Sequence, residues 1–548
     1  MRFRFMTAFG ARTLLASAVV LATASPGWAQ EGTWALVNVR IHPVSGPVIE
    51  RGTIVIRNGL IAAVGADVTA PADARVLDLS GREVAPGIID LASTIGGSPA
   101  PAPPGRGPGG AAQNADAIPA GLDPSLMATD GLKLSEADLR GAREAGITAI
   151  LVAPSRGAFR GRSALIPTRA SVAADQAIKA PAALQMGFEG VSGQYPATLL
   201  GVIAYERQTL YDAQRYALVA ERYRTNPRGL ARPAFDPGLE ALVPAVRREL
   251  PVFFAASEEN EIRRAVRIAG EFDLDLTVVG ATEGFRALDA LAGRAAVVSV
   301  NFPKASEVTG WSYRLTRSAE LPDSAAADRA ARAAIEGNAA ALARSGVRFA
   351  LGTGGARPGE LLANVRKAIA AGLPRETALE ALTIRPAELV GLGEALGTIE
   401  VGKIANLVVT DRGDLLGDSS RVRDVFIDGE HYEVAPARPA SRGAATSAAR
   451  LGGSWTMTIN TPQGAQEVSM TVQQSGSEFS GSMTSMFGTT EFSDGQIDGR
   501  TVSWSMVLDM GGNAMTITYQ GEVDGTRMTG TATLGQFGTA PFTAEKRP

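Results

Sequence analysis

The sequence predicts an α/β protein followed by a separate all-β C-terminal domain. Short apolar runs, such as residues 147–153, 251–256 and 276–281, alternate with segments of helical periodicity, which is typical of strands joined by helices. Residues 34–79 instead contain β-branched runs separated by Gly and Asn turns, which indicates a β-rich flank. Residues 452–548 are rich in Thr, Ser, Gly and Met and contain alternating polar and apolar segments, which predicts a meander of antiparallel strands.

The composition narrows the classes of function. The chain has 548 residues, 45% hydrophobic and 20% charged, with a formal net charge of −3. This length indicates more than one domain, and the absence of a basic excess argues against a nucleic-acid partner. There are no cysteines, which excludes disulfides and thiolate chemistry, and only two histidines, His42 and His431. Imidazole is the usual ligand of catalytic zinc and the usual general base near neutral pH. Zinc binding or general-base catalysis at any position other than these two would therefore have to use a different side chain.

The first 29 residues resemble a secretory signal. Arg2 and Arg4 precede an apolar run at residues 14–24, and small residues then precede Gln30. The apolar run is shorter than the roughly 20 residues that a membrane span needs. We therefore expect residues 1–29 to be removed, the protein to be periplasmic or secreted, and no integral membrane segment to remain after cleavage.

The alternating strand and helix segments begin at residues 84–94 (VAPGIIDLAST). This stretch predicts a short buried strand that leaves a Pro-Gly turn and ends in a polar tip. Residues 96–121 follow, rich in Pro, Gly and Ala without hydrophobic periodicity, which favours a flexible loop or lid. A helix is then expected to begin at Ser135 as its N-cap and to end at Gly146.

Charged residues in the next segments are interpreted as mainly solvent-facing. Residues 156–163 carry three arginines, including Arg160, which could meet an anionic ligand, although a solvated loop is the favoured interpretation. Residues 195–223 predict a long helix that contains Glu206. Its charges fall at helical spacing, which favours solvent exposure or pairing within the helix.

The opening strand resembles that of the amidohydrolase superfamily. The family pattern is Pro-Gly-hydrophobic-hydrophobic-Asp-x-His-x-His, and Pro86, Gly87 and Asp90 match it. The two histidine positions of the pattern fall on Ala92 and Thr94. The chain therefore matches the strand pattern of the family but lacks the first two histidine ligands.

Later segments extend the resemblance over roughly residues 33–433. The strands that would supply a third and a fourth histidine carry Ala255 and Gly280 at those positions. The strand whose Gly-Thr-Asp would supply a catalytic carboxylate carries Gly354. Residues 397–409 (GTIEVGKIANLVV) resemble the run that closes the family's β-sandwich, with Asn406 in place of the usual Asp.

The resemblance implies a domain plan. Residues 86–394 would form a (β/α)8 TIM-like barrel, and residues 30–85 together with 395–435 would form a β-sandwich from both flanks. Residues 436–451 are then a linker, and residues 452–548 an antiparallel barrel or sandwich that resembles small lipocalin-like barrels. The implied subgroup is imidazolonepropionase-like or prolidase-like and exported, and its members hydrolyse C–N bonds in cyclic amides or small peptides.

The residues at the family's ligand positions predict that no metal and no other cofactor is bound. A metallohydrolase lowers the pKa of a water by coordinating it to a cation. Of the five positions, only Thr94 has a side-chain oxygen, and a neutral hydroxyl is a poor zinc ligand.

Candidate site residues are few. Asp90, Glu258 and Glu283 are weak catalytic candidates: Asp90 is expected to bind backbone amides at its turn, and the two glutamates follow strands that lost histidines. A raised pKa in such a pair would suit acid–base chemistry, although Glu258 as a helix cap is favoured. Thr94, Arg160 and Thr353 are candidates for binding at the barrel mouth.

Three hypotheses for the function follow. The leading one is a degenerate amidohydrolase-family protein that binds a small molecule or a partner protein at the barrel mouth, as a homo-oligomer or paired with an active paralogue. The second is a hydrolase of cyclic amides or small peptides with a metal-independent carboxylate mechanism. The third makes the C-terminal β domain the binding unit and the barrel its scaffold.

Overall fold

The structure is a computed structural model of the chain. It describes residues 32–96, 121–130, 132, 134–170, 172, 176–191, 195–302, 324–434, 451–461, 464–476, 478–485, 488–509, 514–533 and 539–547. The predicted signal, most of the loop at residues 96–121 and most of the linker at residues 436–451 lie outside the described residues. The chain divides into two compact units, Met1–Ala435 and Pro436–Pro548.

Strands from both flanks of the first unit form one eight-stranded sheet. Its strands are β1 Trp34–Ile41, β2 Ile49–Arg57, β3 Leu60–Gly65, β4 Arg75–Asp78, β5 Arg82–Pro86, β14 Leu407–Asp411, β15 Arg421–Ile427 and β16 Glu430–Glu433. β14 pairs with β5 and joins the flanks, as the resemblance implies. The flanks also share a core, in which Leu36 and Ile54 pack in one cluster with Leu407 and Phe426.

The second sheet contains the eight strands of the barrel. They are β6 Ile88–Asp90, β7 Ile147–Val152, β8 Phe159–Pro167, β9 Lys179–Gly187, β10 Val252–Ala256, β11 Leu276–Gly280, β12 Ala295–Ser299 and β13 Arg348–Gly352, paired in that order. The helices are α1 Glu136–Glu144, α2 Leu199–Thr225, α3 Pro237–Val246, α4 Glu259–Glu271, α5 Leu288–Leu291, α6 Ser324–Glu336, α7 Asn338–Arg344, α8 Leu361–Ala370, α9 Arg375–Leu382 and α10 Ile384–Leu389. Ser135 caps α1, as predicted. None of the described helices is long and apolar enough to cross a membrane.

One barrel strand runs against the others. β8 is antiparallel to both β7 and β9, whereas the remaining neighbours in the sheet are parallel. The described residues of the connections at 153–158 and 168–178 hold no α-helix, and parallel strands need a crossover of about a dozen residues or more, usually helical. The favoured interpretation of residues 156–163 as a solvated loop is therefore wrong in part, because β8 begins at Phe159.

The second unit is a closed antiparallel barrel. Its strands are β17 Gly453–Thr461, β18 Gly464–Ser475, β19 Glu478–Ser485, β20 Gly488–Asp498, β21 Thr501–Asp509, β22 Ala514–Asp524, β23 Arg527–Thr533 and β24 Thr539–Lys546, and β24 pairs with β17. Trp504 stacks on Tyr519 with ring centroids 4.7 Å apart, and Phe479 and Phe542 contact the same indole at 5.8 and 5.9 Å. Aromatic side chains therefore fill much of the barrel interior.

Candidate ligand-binding site at the barrel mouth

The five positions at which the resemblance implies metal ligands lie on one rim of the barrel. Ala255 and Gly280 lie at the ends of β10 and β11, and Gly354 follows β13. Ala92 and Thr94 follow β6, and the Gly354 amide donates to the Ala92 carbonyl at 3.1 Å. Because these strands are parallel, their carboxyl ends meet at the edge where barrels of this kind build active sites.

The side chains on this rim do not fit a metal centre. Within the described ranges, no group of three or more His, Cys, Asp or Glu residues is arranged to hold a metal ion. Both histidines lie in the flanking sheet region and have partners there: His42 Nε2 lies 2.5 Å from Glu83 Oε2, and His431 Nε2 lies 2.8 Å from Asp424 Oδ1. The described residues of this rim therefore do not supply the donor set that the family implies.

Two serines occupy the space that side chains at the lost positions would enter. A Cβ on Gly280 would lie 2.5 Å from Ser257 Oγ, and a Cβ on Gly354 would overlap Ser299 Oγ. Gly354 also has a φ of +58°, in the left-handed region that favours glycine. The rim is thus repacked with small polar side chains from neighbouring strands.

Asp90 and Thr353 join the first and last strands of the barrel. β6 and β13 form no ladder in the described sheet, where they are the two end strands. Asp90 Oδ1 accepts from the amides of Ala92 at 3.0 Å and Thr353 at 3.1 Å, and Oδ2 accepts from Thr353 Oγ1 at 2.6 Å. Both side chains are buried, and burial raises the pKa of the Asp90 carboxyl. These hydrogen bonds link the end of β6 to the end of β13, a junction that we call the seam of the barrel. Thr94, by contrast, is exposed at the mouth.

The carboxylates that follow β10 and β11 lie at the start of α4. Glu258 is the N-cap, and Glu261 Oε2 accepts from the amides of Ser257 at 2.9 Å and Glu258 at 3.3 Å. Glu283 Oε2 accepts from the Glu259 amide at 3.0 Å. Partial burial, followed by the charges of Glu261 and Glu283, raises the pKa of Glu258. The structure therefore brings Glu258 and Glu283 together, with Glu283 bonded to the backbone of α4.

Glu206 lies in the core, so the prediction that the charges of this helix face solvent is wrong at this residue. Its side chain is 0% exposed, on a buried stripe of α2 that also contains Val202 and Leu210. Neither carboxyl oxygen has a hydrogen-bond partner in the described part of the chain. Burial raises the pKa of Glu206 to about 9, and the charges of Arg160 and Arg207 offset only part of that effect. The spacing of four residues to Val202 and Leu210 is the sequence signal that places Glu206 on this stripe.

Arg160 lies at the mouth because β8 is irregular there. The register of β8 against β9 shifts between Phe159 and Gly161, and such bulges redirect a side chain. The guanidinium lies over Gly187, where an added Cβ would overlap it. Gly187 is in register with Ala255 on the adjacent strand, so Arg160 lies beside the third lost ligand position.

Two crevices lie away from this rim. One of about 330 Å³ is lined by residues of the flanking sheet and α9, including His42, Arg375 and Asp414. Another of about 500 Å³ is lined by Trp34, His431 and neighbouring residues of the flanking sheet. Two of the charged residues that line the first crevice are already paired, since Arg375 forms a salt bridge with Asp414.

Comparisons with known proteins find similarity both in sequence and in fold. Residues 231–432 match the Amidohydrolase family. An amidohydrolase from Thermotoga maritima MSB8 has the same fold with a TM-score of 0.59 and 24% identity, over 73% of this chain and 100% of that one. A Xaa-Pro dipeptidase structure with bound methionine is more distant, with a TM-score of 0.44 and 17% identity over 73% of this chain and 100% of that one. The first unit thus contains an amidohydrolase family domain.

A curated relative matches over a shorter segment. N-acetylglucosamine-6-phosphate deacetylase from Bos taurus is 42% identical over 71 residues, which are 13% of this chain and 16% of that protein. The chain thus aligns with about one sixth of the length of this relative.

Proposed function

We propose that this protein binds a small molecule at the barrel mouth and does not perform the metal-dependent hydrolysis of its family. The observation that carries the proposal is the repacked rim: five ligand positions lack strong donors, and Ser257 and Ser299 occupy space beside two of them. In an intact pocket with a single ligand missing, the space for that ligand would remain open. Here a side chain restored at Gly280 or Gly354 would instead contact Ser257 or Ser299. A partner protein that inserts a side chain into the same mouth is the other form of this proposal.

The two other functions that the sequence leaves open receive less support. A carboxylate mechanism needs a pair of acids facing a substrate, whereas Glu283 accepts a hydrogen bond from the α4 backbone. A ligand inside the C-terminal barrel needs space, whereas Trp504, Tyr519 and Phe542 contact one another in its interior.

Metal content tests the proposal directly. Protein purified without an affinity tag, incubated with equimolar zinc or manganese and then passed through a desalting column, is expected to retain less than about a tenth of an equivalent, because a site without imidazole or several carboxylates holds such ions weakly. Elemental mass spectrometry measures the retained metal. About one equivalent of tightly held metal in the wild-type protein would overturn the proposal.

The refilled space gives a second prediction. Gly354→Asp is expected to lower the free energy of unfolding by about 2 kcal/mol, because its Cβ overlaps Ser299 Oγ. Adding Ser299→Ala should recover part of that loss, as a double-mutant cycle from denaturant unfolding would measure. Gly359→Asp is a control, since an added Cβ there meets nothing within 4 Å. Strictly additive effects of the two substitutions would show that Ser299 does not occupy this space.

We further propose that the protein is exported and acts after removal of residues 1–29. The support is the sequence pattern of Arg2 and Arg4, the apolar run at residues 14–24 and the small residues before Gln30. Mass spectrometry of the protein recovered from a bacterial periplasmic fraction should give a mature N-terminus at Gln30. A full-length chain retained in the cytoplasm would contradict export.

A further inference from the structure

We infer that Arg160 is the ligand-anchoring residue of the barrel mouth and that it binds the carboxylate group of a small monoanionic ligand beside Ala255. This inference rests on the proposed function, since it names the chemical class of ligand for the same mouth. The Arg160 guanidinium would then supply a positive charge at the rim where the family's metal ligands are absent.

The position of Arg160 is built into the strand arrangement. The shift in register of β8 places Arg160 between two paired residues, and its side chain then crosses the end of β9 at Gly187. Any larger residue at position 187 would overlap the guanidinium. Arg160 Nε donates to the Gly157 carbonyl at 3.2 Å, which fixes the orientation of the guanidinium plane.

The guanidinium retains hydrogen-bonding capacity. Its two terminal nitrogens donate no hydrogen bond to any described residue, and Nη2 forms a salt bridge of 3.7 Å with Glu189 Oε2. Glu189 is half exposed, and its Oε2 also accepts from the Gly157 amide at 3.2 Å. The Arg160 side chain itself is only 16% exposed. A largely buried guanidinium with unused donors favours a carboxylate, which can accept two parallel hydrogen bonds from it.

The carboxylates around Arg160 favour a ligand with one negative charge over a ligand with two. Glu206 is protonated at neutral pH because burial raises its pKa to about 9, so among the nearby carboxylates the half-exposed Glu189 has the largest charge effect on Arg160. Glu261 also lies within electrostatic range of Arg160, but its carboxylate accepts hydrogen bonds from the start of α4. Glu258 and Glu283 add negative charge near that helix end, which opposes the binding of a dianion such as phosphate. A carboxylate therefore fits this mouth better than a phosphate.

Ligand-observed NMR can test the inference with a matched pair of probes. The fluorine resonance of 4-fluorobenzoate should broaden with the full-length wild-type protein, and that of the neutral 4-fluorobenzamide should not. Arg160→Gln should weaken binding of the benzoate at least tenfold, and Gly187→Ala should also weaken it by displacing the guanidinium. Arg156→Gln, an exposed arginine near the start of β8, is the control and should leave binding unchanged.

The outcomes separate this inference from the proposed function. Benzoate binding that is equal for the wild type and a folded Arg160→Gln variant, or equal for benzoate and benzamide, overturns the assignment of Arg160. Displacement of the benzoate by inorganic phosphate at a lower concentration than by acetate overturns the choice of a monoanion. Neither result bears on the metal measurement, which alone decides whether the mouth is free of a catalytic metal.

Discussion

Asp90→Ala is expected to lower the free energy of unfolding of the first unit by about 4 kcal/mol. The amides of Ala92 and Thr353 lose their acceptor, and the Thr353 hydroxyl loses the nearer of its two acceptors, the other being the Ala92 carbonyl at 3.4 Å. Each unsatisfied buried donor costs about 1–3 kcal/mol, and relaxation around the new space reduces the sum. The effect is large because the same carboxyl joins β6 to β13, where the described sheet has no ladder.

Denaturant unfolding monitored by circular dichroism measures this effect on the full chain. Asp90→Asn retains one carbonyl acceptor and should cost less, about 1–2 kcal/mol, and Thr353→Val, which removes only the hydroxyl contact, should cost about 1 kcal/mol. The transition of the C-terminal barrel should be unchanged in all three variants and serves as an internal reference, because all three substitutions lie in the first compact unit. A loss below about 0.5 kcal/mol for Asp90→Ala would show that the seam does not depend on this carboxyl.

The barrel was predictable where the local pattern and the tertiary role agree. Pro86, Gly87 and Asp90 mark the opening strand in the sequence, and the structure places β6 at residues 88–90. Alternation of polar and apolar residues predicted the C-terminal meander, because a closed antiparallel barrel buries one face of every strand. The reversed strand β8 was missed since Gly157, Gly161 and the arginines around them lack the β-branched residues that signal a strand.

The candidate site was predictable only in part. The sequence alone indicated the five ligand positions, because each of them is adjacent to a recognisable strand end. It named Arg160 as a candidate from its charge alone, since the strand β8 that carries it was not predicted. It could not show that Ser257 and Ser299 refill the rim, since that depends on which side chains face one another across neighbouring strands. It also misplaced Glu206, because charge is a weaker guide to exposure than the apolar spacing in which a residue falls. The two features on which the proposals depend are the refilled rim and the buried Glu206. Both are determined by tertiary packing and not by the local sequence.

Glu206→Gln is expected to stabilise the first unit by about 3 kcal/mol at pH 7 and by less than about 1 kcal/mol at pH 5. The folded-state pKa of about 9 exceeds the ordinary value of 4.5, so between these values the folded state holds a proton that the unfolded state has lost. Stability from this group is therefore fully present below pH 4.5 and is lost as the pH rises towards 9. Glutamine has nearly the same shape and no proton to lose, which removes this dependence.

Thermal or denaturant unfolding of the variant and the wild type at pH 5, 7 and 8.5 provides the measurement. Asp212→Asn, on the same helix but partnered by Gln208, is the matched control and should not change the slope of stability with pH. A constant difference between Glu206→Gln and the wild type at all three pH values would mean that Glu206 is ionised in the folded protein. Arg160 would then be neutralised by Glu206, and benzoate binding should rise in Glu206→Gln. With a protonated Glu206, the variant should instead bind benzoate as the wild type does at pH 7.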